Sequence, residues 1–283
     1  MSYQWNYSYK EIKINSFEQI HEIINDYKKA YKLSELNGDD SCLGVFFRGQ
    51  NNCEWEITPS VKRSDNKRSD IIIEDETKSL FEIIAYIQHY YRGTRFIDFT
   101  LNPDVAIYFA CSGNEDKNGA FYIYPYSFHK AEWYTSIILC ELIRIKTSEP
   151  MSVEDLSYKI WQDYPELAES FETLEDLNGA IMSFLDHGFM ALPDDISYAN
   201  NIRLKRQQGC FYICGVEFVR EISSRDRWNS NAGRNIFKPQ SAAVPENLKK
   251  GDMLVKLIIP KECKYDILQK LAIKGITKDY LMP

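Results

Sequence analysis

A short segment, Gln88-His89-Tyr90-Tyr91-Arg92-Gly93-Thr94-Arg95-Phe96-Ile97-Asp98-Phe99-Thr100, concentrates one His, two Arg, one Asp and two Thr just before an apolar stretch from Asn102 to Ser112. Polar groups this dense beside a core element are costly to bury unless they pair or face a ligand. The fold must therefore either staple them together or open a cleft around them. Thr94, Arg95, Asp98 and Thr100 stand at spacings that a half-buried strand or tight turn aims into one cleft. The plainer alternative is an Arg95–Asp98 ion pair tying a loop to the core, which does not exclude a site beside it.

The 283 residues are 44% hydrophobic and 27% charged, as in soluble globular proteins, and suffice for one large domain or two small ones. An aromatic content of 14% predicts aromatic walls to core and cleft. The net charge of −7 argues against capture of nucleic acid by the whole surface. Seven cysteines include no Cys-x-x-Cys pair and sit mostly in apolar runs such as Ile137-Ile138-Leu139-Cys140, which fits reduced, buried thiols in a cytoplasmic protein. Cys210 and Cys214 share a face if their segment is a strand, but no His or further Cys stands near them, and no metal is expected. Met1 to Asn6 lacks the basic region and apolar run of a signal peptide, and no segment approaches the roughly 18 apolar residues of a membrane span.

Ser16, with Gln19 three residues on, predicts a capped helix in which Phe17, Ile20, Ile23, Ile24 and Tyr27 recur at helical spacing, ending near Lys32. Leu43 to Arg48 reads as a strand closing on Gly49. Asn51 to Ser60 is turn-rich with Trp55 and Ile57 pointing inward, and Ser64 to Ser69 is a charged loop. Glu74 to Tyr91 is a second helix, and Pro103 opens a third where its missing N–H costs little. Ala120 to Tyr124, Ile137 to Ile145, Cys210 to Cys214 and Met253 to Ile259 follow as strands, and Lys261 to Ile273 as a terminal helix. Ser152 to Leu177 is an acidic helical stretch taken as peripheral, and Ser223 to Gln240 is a loop or lid. The simplest account is one α+β domain over residues 1–283, with an N-terminal half at 43–125, a helical insertion at 150–195 and a C-terminal half at 200–283.

Four segments resemble one family in that family's own order. Phe47-Arg48-Gly49-Gln50, with Trp55 and Pro59-Ser60, resembles the opening of the FRG domain, named for its Phe-Arg-Gly motif. Gln88 to Ala110 is similar to its signature: Gln-His-Tyr, then Thr-Arg-x-x-Asp-aromatic-Thr, then Asn-Pro-x-x-Ala-x-x-Phe-Ala. Asn201-Ile202-Arg203 with Gln207-Gln208-Gly209-Cys210-Phe211 resembles its third motif, and Leu271 to Pro283 its C-terminal helix and tail. Tyr91-Arg92-Gly93 departs from the pattern, as do Phe96-Ile97 and Phe99, where Leu-Leu and Trp are commoner. The family occurs in bacteria and their mobile elements, so the resemblance implies a defence or toxin role.

A weaker resemblance, to ADP-ribosyltransferases, implies a split β-sheet core flanked by helices and NAD as a substrate. Such enzymes open with an Arg or His that ends an early strand and holds diphosphate or ribose. Arg48 fits this, followed by Gly49, which lets backbone approach a phosphate. Thr94 to Thr100, leading into a small apolar helix, resembles their second element. Their third element carries a Glu; here the place holds Gln207-Gln208, a neutral amide pair that can bind a ribose hydroxyl but supplies no negative charge. Either Asp98 or Glu217 brings a carboxylate, or the site binds without turnover.

Each residue also has a plainer role. Arg48 can lock onto Asp98, His89 is favourable at a helix C-terminus, Gln208 can satisfy backbone, Glu217 can be solvated, and Thr94 and Thr100 can serve turn and cap. Two readings stay open. One is an NAD-using enzyme without metal, with Arg48, His89, Asp98 and Gln208 catalytic and Arg48, Gly49, Thr94, Arg95, Thr100 and Gln207 holding the cofactor. The other is a non-catalytic module for a nucleotide-like small molecule or a protein partner, with the Ser223–Gln240 loop closing over it. Donors around Arg48, Arg95 and Arg203 favour an anionic ligand under both. A nuclease ranks third, because no metal-binding carboxylate set stands out. Oligomeric state stays open.

Overall fold

The computed structural model describes residues 10–35, 43–62, 78–90, 93–131, 134–145, 147–219, 235–244, 248–249 and 254–282. The run Leu-Gly-Val-Phe-Phe-Arg-Gly-Gln forms strand β2 (Leu43–Gln50), and its two-residue alternation sends Phe47 to one buried face and Phe46 with Arg48 to the other. β2 pairs antiparallel along its full length with β4 (Gly119–Lys130), from Leu43↔Ser127 to Gln50↔Ala120. Beyond β4 lie β10 (Val255–Ile259) and, parallel to it, β1 (Lys10–Lys13).

On its other side β2 meets β3 (Phe96–Thr100), and among the described residues the two pair at Phe47↔Thr100 alone. β3 then pairs with β7 (Gly209–Ile213), and β7 with β6 (Phe189–Leu192). β6 returns to pair in parallel with the far end of β4, Phe128↔Met190 to Lys130↔Leu192. The seven-stranded sheet therefore curls until β4, β2, β3, β7 and β6 close a ring. Tyr124 of β4 contacts Tyr212 of β7 and Phe99 of β3 at ring centroids of 6.4 and 6.0 Å, across strands that are not neighbours. Those aromatics, with Phe46, Ile97 and Met190, fill the ring interior. A small second sheet holds β5 (Met151–Ser152), β9 (Ile236–Ala243) and β8 (Gly215–Phe218). The class is α+β.

Helices cover the outside. α1 (Phe17–Glu35), α3 (Pro103–Cys111) and the later Lys261–Ile273 helix pack on one side through Ile20, Ile24, Ile107 and Leu271. α1 carries the expected cap, with Gln19 N–H donating to Ser16 Oγ, while Gln19 Oε1 reaches one residue further back to accept from Asn15 N–H. It ends at Glu35, past the expected Lys32. α2 (Leu80–Tyr90) packs on the other side through Phe81 and Ile84. Residues 74–77 of the expected helix, the 64–69 loop and positions 223–234 of the expected lid lie outside the described residues. Residues 236–240, the end of that lid, are strand β9.

Three expectations are overturned. Ile137 to Ile145 is not a strand but part of helix α4 (Tyr134–Arg144). Its apolar run fits either period, and the helix wins because Ile138, Leu139 and Leu142 share a core face while Arg144 reaches back one turn to the wholly buried Glu141. The Ser152–Leu177 stretch is not peripheral. It forms α5 (Val153–Asp163), a 3-10 turn opening on Pro165, and the start of α6 (Leu174–His187); Val153, Leu156, Ile160, Leu177, Ile181 and Leu185 are all fully buried. Thr173 and Asp176 form a capping box that starts α6. Finally, Ile57 points inward as expected, but Trp55 is 52% exposed.

Candidate functional site

Where β2 and β3 part, a cleft of about 670 Å³ opens between them, the end of α2, α3 and the short helix α8 (Ile202–Gln207). Its polar lining includes Arg48, Gln88, His89, Asp98, Thr100 and Arg203. Arg48 follows Phe46 on the interior face of β2, whereas Asp98 follows Phe96 on the face that meets α2. Both reach the cleft because the strands separate there.

Arg48 is 7% exposed, and its Nη1 donates to the main-chain carbonyl of Asp98 at 2.5 Å. The Asp98 carboxylate accepts from Gln88 Nε2, at 3.1 Å to each oxygen. Backbone fixes the direction of that contact. Gly93 and Thr94 N–H both donate to Ser60 Oγ at 3.0 Å, and Phe96 N–H donates to Thr94 Oγ1 at 3.0 Å. Thr94 Oγ1 therefore turns its proton to Gln88 Oε1 at 2.5 Å, and Ser60 Oγ shares its proton between Gln88 Oε1 at 3.0 Å and the Thr94 carbonyl at 3.2 Å, which leaves the amide N–H side of Gln88 to face Asp98. Gln88 thus offers Asp98 donors and nothing else, which fixes the direction of the carboxylate.

His89 sits in the last turn of α2, and Arg203 Nη1 donates to its carbonyl at 3.1 Å. Burial holds the imidazole below its ordinary pKa; Asp98 opposes this and Arg203 reinforces it. A neutral ring at neutral pH follows, lying against Phe211 with centroids 5.7 Å apart and with Nε2 buried without a hydrogen-bond partner among the described residues. Thr100 Oγ1 donates to the Gln207 carbonyl at 2.6 Å and accepts from Asn102 N–H, so it builds the turn while lining the cleft. The cap of α3 itself is Asn102, whose Oδ1 accepts from Asp104 N–H. Gln207 lines the cleft with its amide Nε2 donating to the Leu281 carbonyl at 3.0 Å.

Six of the expected site residues thus share the cleft: Arg48, Gly49, His89, Asp98, Thr100 and Gln207. Gly49 is there for a different reason than supposed. A Cβ on it would lie 1.9 Å from the Ala106 carbonyl oxygen, so its bareness admits the backbone of α3 rather than a phosphate. Thr94, Arg95 and Gln208 do not line the cleft. Thr94 serves the Gln88 network from behind. Arg95 is buried on the other side, donating to the carbonyls of Cys214, Gly215 and Pro239, and so binds the small sheet to the large one. Gln208 takes the left-handed conformation, φ 45° and ψ 44°, and ends α8 with an exposed side chain; its N–H donates to the Leu204 and Lys205 carbonyls. It serves as a helix cap, and its side chain stands away from the cleft. Glu217 does not line the cleft either; it forms an exposed ion pair with Lys62 at 2.8 Å, which lowers its pKa.

Gln88 and Ser60 also line the cleft, outside the residues expected there, although both stand in the family-like motifs Gln-His-Tyr and Pro-Ser. Among the described residues no group of three His, Cys, Asp or Glu could hold a metal ion, and no helix is long and apolar enough to cross a membrane.

The family model of the FRG domain matches residues 44–119, from β2 through α3 to the first residue of β4. The match takes in Arg48, Gln88, His89, Asp98 and Thr100, while Arg203 and Gln207 reach the cleft from outside it. No curated protein and no solved structure matches the chain.

Proposed function

We propose that the cleft binds a nucleotide of the NAD class and breaks its nicotinamide–ribose bond, passing the ADP-ribosyl group to water or to a macromolecular target. The observation that supports this reading is one cleft of about 670 Å³, within the range of small-molecule sites, fronted by two guanidiniums, one oriented carboxylate and a neutral imidazole. Arg48 and Arg203 suit the diphosphate, since guanidinium forks match phosphate oxygens. Asp98 takes the place that the glutamines at 207 and 208 leave without charge.

In the reaction the bond from ribose C1′ to the pyridinium nitrogen breaks, and its electron pair passes to that nitrogen, so nicotinamide leaves neutral. The positive charge shifts to C1′ and the ring oxygen, where a fixed carboxylate in a half-buried cleft stabilises it more than water would. A water or target hydroxyl adds to C1′, and its proton goes to a base; neutral His89, which lines the cleft with a buried Nε2 unpartnered among the described residues, is suited to accept it once the ring turns to the bound nucleotide. The parting of β2 and β3 after one residue pair supports the comparison with split-sheet ADP-ribosyltransferases. A defence or toxin role, implied by the resemblance to a family found in bacteria and their mobile elements, would suit such an activity.

Incubation of purified protein with NAD, following free nicotinamide, tests the reading. Release by the wild type that Asp98→Asn suppresses, with fold verified by circular dichroism, supports it. Absence of both release and NAD binding overturns it. A second reading, a nucleotide sensor without turnover, draws on the neutral Gln207 at the third motif; NAD binding without release would select it.

A further inference from the structure

The turn after β2 is held on every side yet carries a large aromatic ring into solvent. Gln50 Nε2 donates across it to the Glu56 carbonyl at 3.2 Å, and Glu54 N–H donates to Asn52 Oδ1 at 3.0 Å. Cys53 N–H donates to the Asn118 carbonyl at 2.8 Å, and Asn51 Nδ2 to the Ser112 carbonyl at 2.7 Å. Lys264, 3% exposed, spends its ammonium on the carbonyls of Asn51, Gly113 and Asn114 at 2.8 to 3.3 Å. A buried lysine given over to three carbonyls fixes the loop and burdens the core; it is the kind of cost a fold carries where loop position matters.

At the centre of this fixed turn stands Trp55, 52% exposed and lining the cleft. Tyr90, 46% exposed, lines the same cleft, and its ring is backed by Tyr86 at a centroid distance of 4.5 Å. Large aromatics with a free face beside buried guanidiniums form the pattern that binds a planar base at one end and phosphate at the other. A rigid support matters because an ordered ring loses little freedom on stacking.

We propose that Trp55 is the base platform of the cleft, stacking the heterocycle of a nucleotide whose phosphates meet Arg48 and Arg203, with Tyr90 as a second aromatic wall. This rests on the nucleotide reading of the cleft. The orientation it assigns puts the base at the mouth and the phosphates within, so that a nucleotide outranks inorganic pyrophosphate as a ligand because of Trp55.

Calorimetric titration with ADP-ribose and with inorganic pyrophosphate distinguishes the two ideas, using wild type, Trp55→Ala, Trp55→Phe and Arg203→Gln. The half-exposed Trp55 is a safe site for substitution without unfolding. The platform predicts that Trp55→Ala weakens ADP-ribose about tenfold, the scale of one base–aromatic stack, spares pyrophosphate, and is largely rescued by Phe. Equal ADP-ribose affinity in wild type and Trp55→Ala, with loss in Arg203→Gln, overturns the platform and leaves the nucleotide reading standing. ADP-ribose binding to none of the four proteins overturns both.

Discussion

The side-chain nitrogen of Gln88 donates to both carboxylate oxygens of Asp98 at 3.1 Å, so a residue that catalysis would need is oriented by a neutral amide. That amide is itself oriented by two hydroxyls whose own direction is set by backbone N–H groups.

Replacing Gln88 separates orientation from charge. Gln88→Ala removes the acceptor of the Thr94 hydroxyl and the donor to Asp98, while Ser60 keeps the Thr94 carbonyl, and should cost about 1–3 kcal/mol in urea unfolding, the penalty of unsatisfied buried groups. Gln88→Glu keeps an acceptor for the hydroxyls but sets a second carboxylate against Asp98. Its stability relative to wild type should fall as pH rises through the carboxylate range, because the crowded pair holds a proton in the folded state that the unfolded chain releases.

His89 gives a pH dependence of the opposite slope. Burial lowers its folded pKa, so between that value and the ordinary 6.5 the unfolded chain binds more protons than the folded one. The contribution is complete above pH 6.5 and is lost as pH falls toward the folded pKa. His129 is shifted in the same direction by burial and adds to it. Denaturant midpoints measured across this window should therefore drop on acidification, and His89→Gln should flatten part of the slope while His129→Gln flattens the remainder.

Gly49 and Gly179 should respond oppositely to alanine. A Cβ at Gly49 meets the Ala106 carbonyl oxygen at 1.9 Å and the Ala110 nitrogen at 2.6 Å, backbone that moves only if α3 lifts from the sheet. Gly49→Ala should cost about 3 kcal/mol, at the upper end of overpacking effects. Gly179 lies in α6 with nothing within 4 Å of its would-be Cβ, so Gly179→Ala should gain about 0.5–1 kcal/mol in the same urea measurement.

The buried Glu141 ties α4 to α5 and its C-cap by accepting from Arg144 of its own helix at 2.7 Å, Lys159 at 3.2 Å and the Tyr164 hydroxyl. Glu141→Ala leaves a cavity and takes the anion from Arg144, while Lys159 keeps Asp163 at 2.6 Å; with both cations more than a third exposed, it should destabilise by about 1–3 kcal/mol in thermal or urea unfolding. Lys159→Ala, at a position 43% exposed, should cost well under half of that.

Much of the cleft was legible because polar density and element ends coincide. Leu43 to Arg48 alternates as a strand must, and Pro103 with Asn102 marks a helix start whatever lies around it. Arg48, His89 and Asp98 were found as charges beside apolar runs. The errors share one cause, side-chain direction set by distant partners. Ile137 to Ile145 fits either period, and the core face of Ile138, Leu139 and Leu142 together with the buried Glu141 cluster decides for helix. Arg95 stands three residues before Asp98 in sequence but turns to the small sheet, whose strand β9 lies more than a hundred residues away. Gln208 reads in sequence as a ligand-facing amide, yet a left-handed turn before Gly209 carries it out to solvent and leaves Gln207 at the cleft.

The ring that β4 closes with β6 has a mechanical consequence. An open sheet could widen a gap between two strands by swinging its free edge, but β3 is tethered through β7 and β6 back to the strand that holds β2. The gap between β2 and β3 is a slot in a hoop, and it opens only by deforming the hoop. A nucleotide of the kind proposed would meet a width already set, so shape would select before any chemistry within.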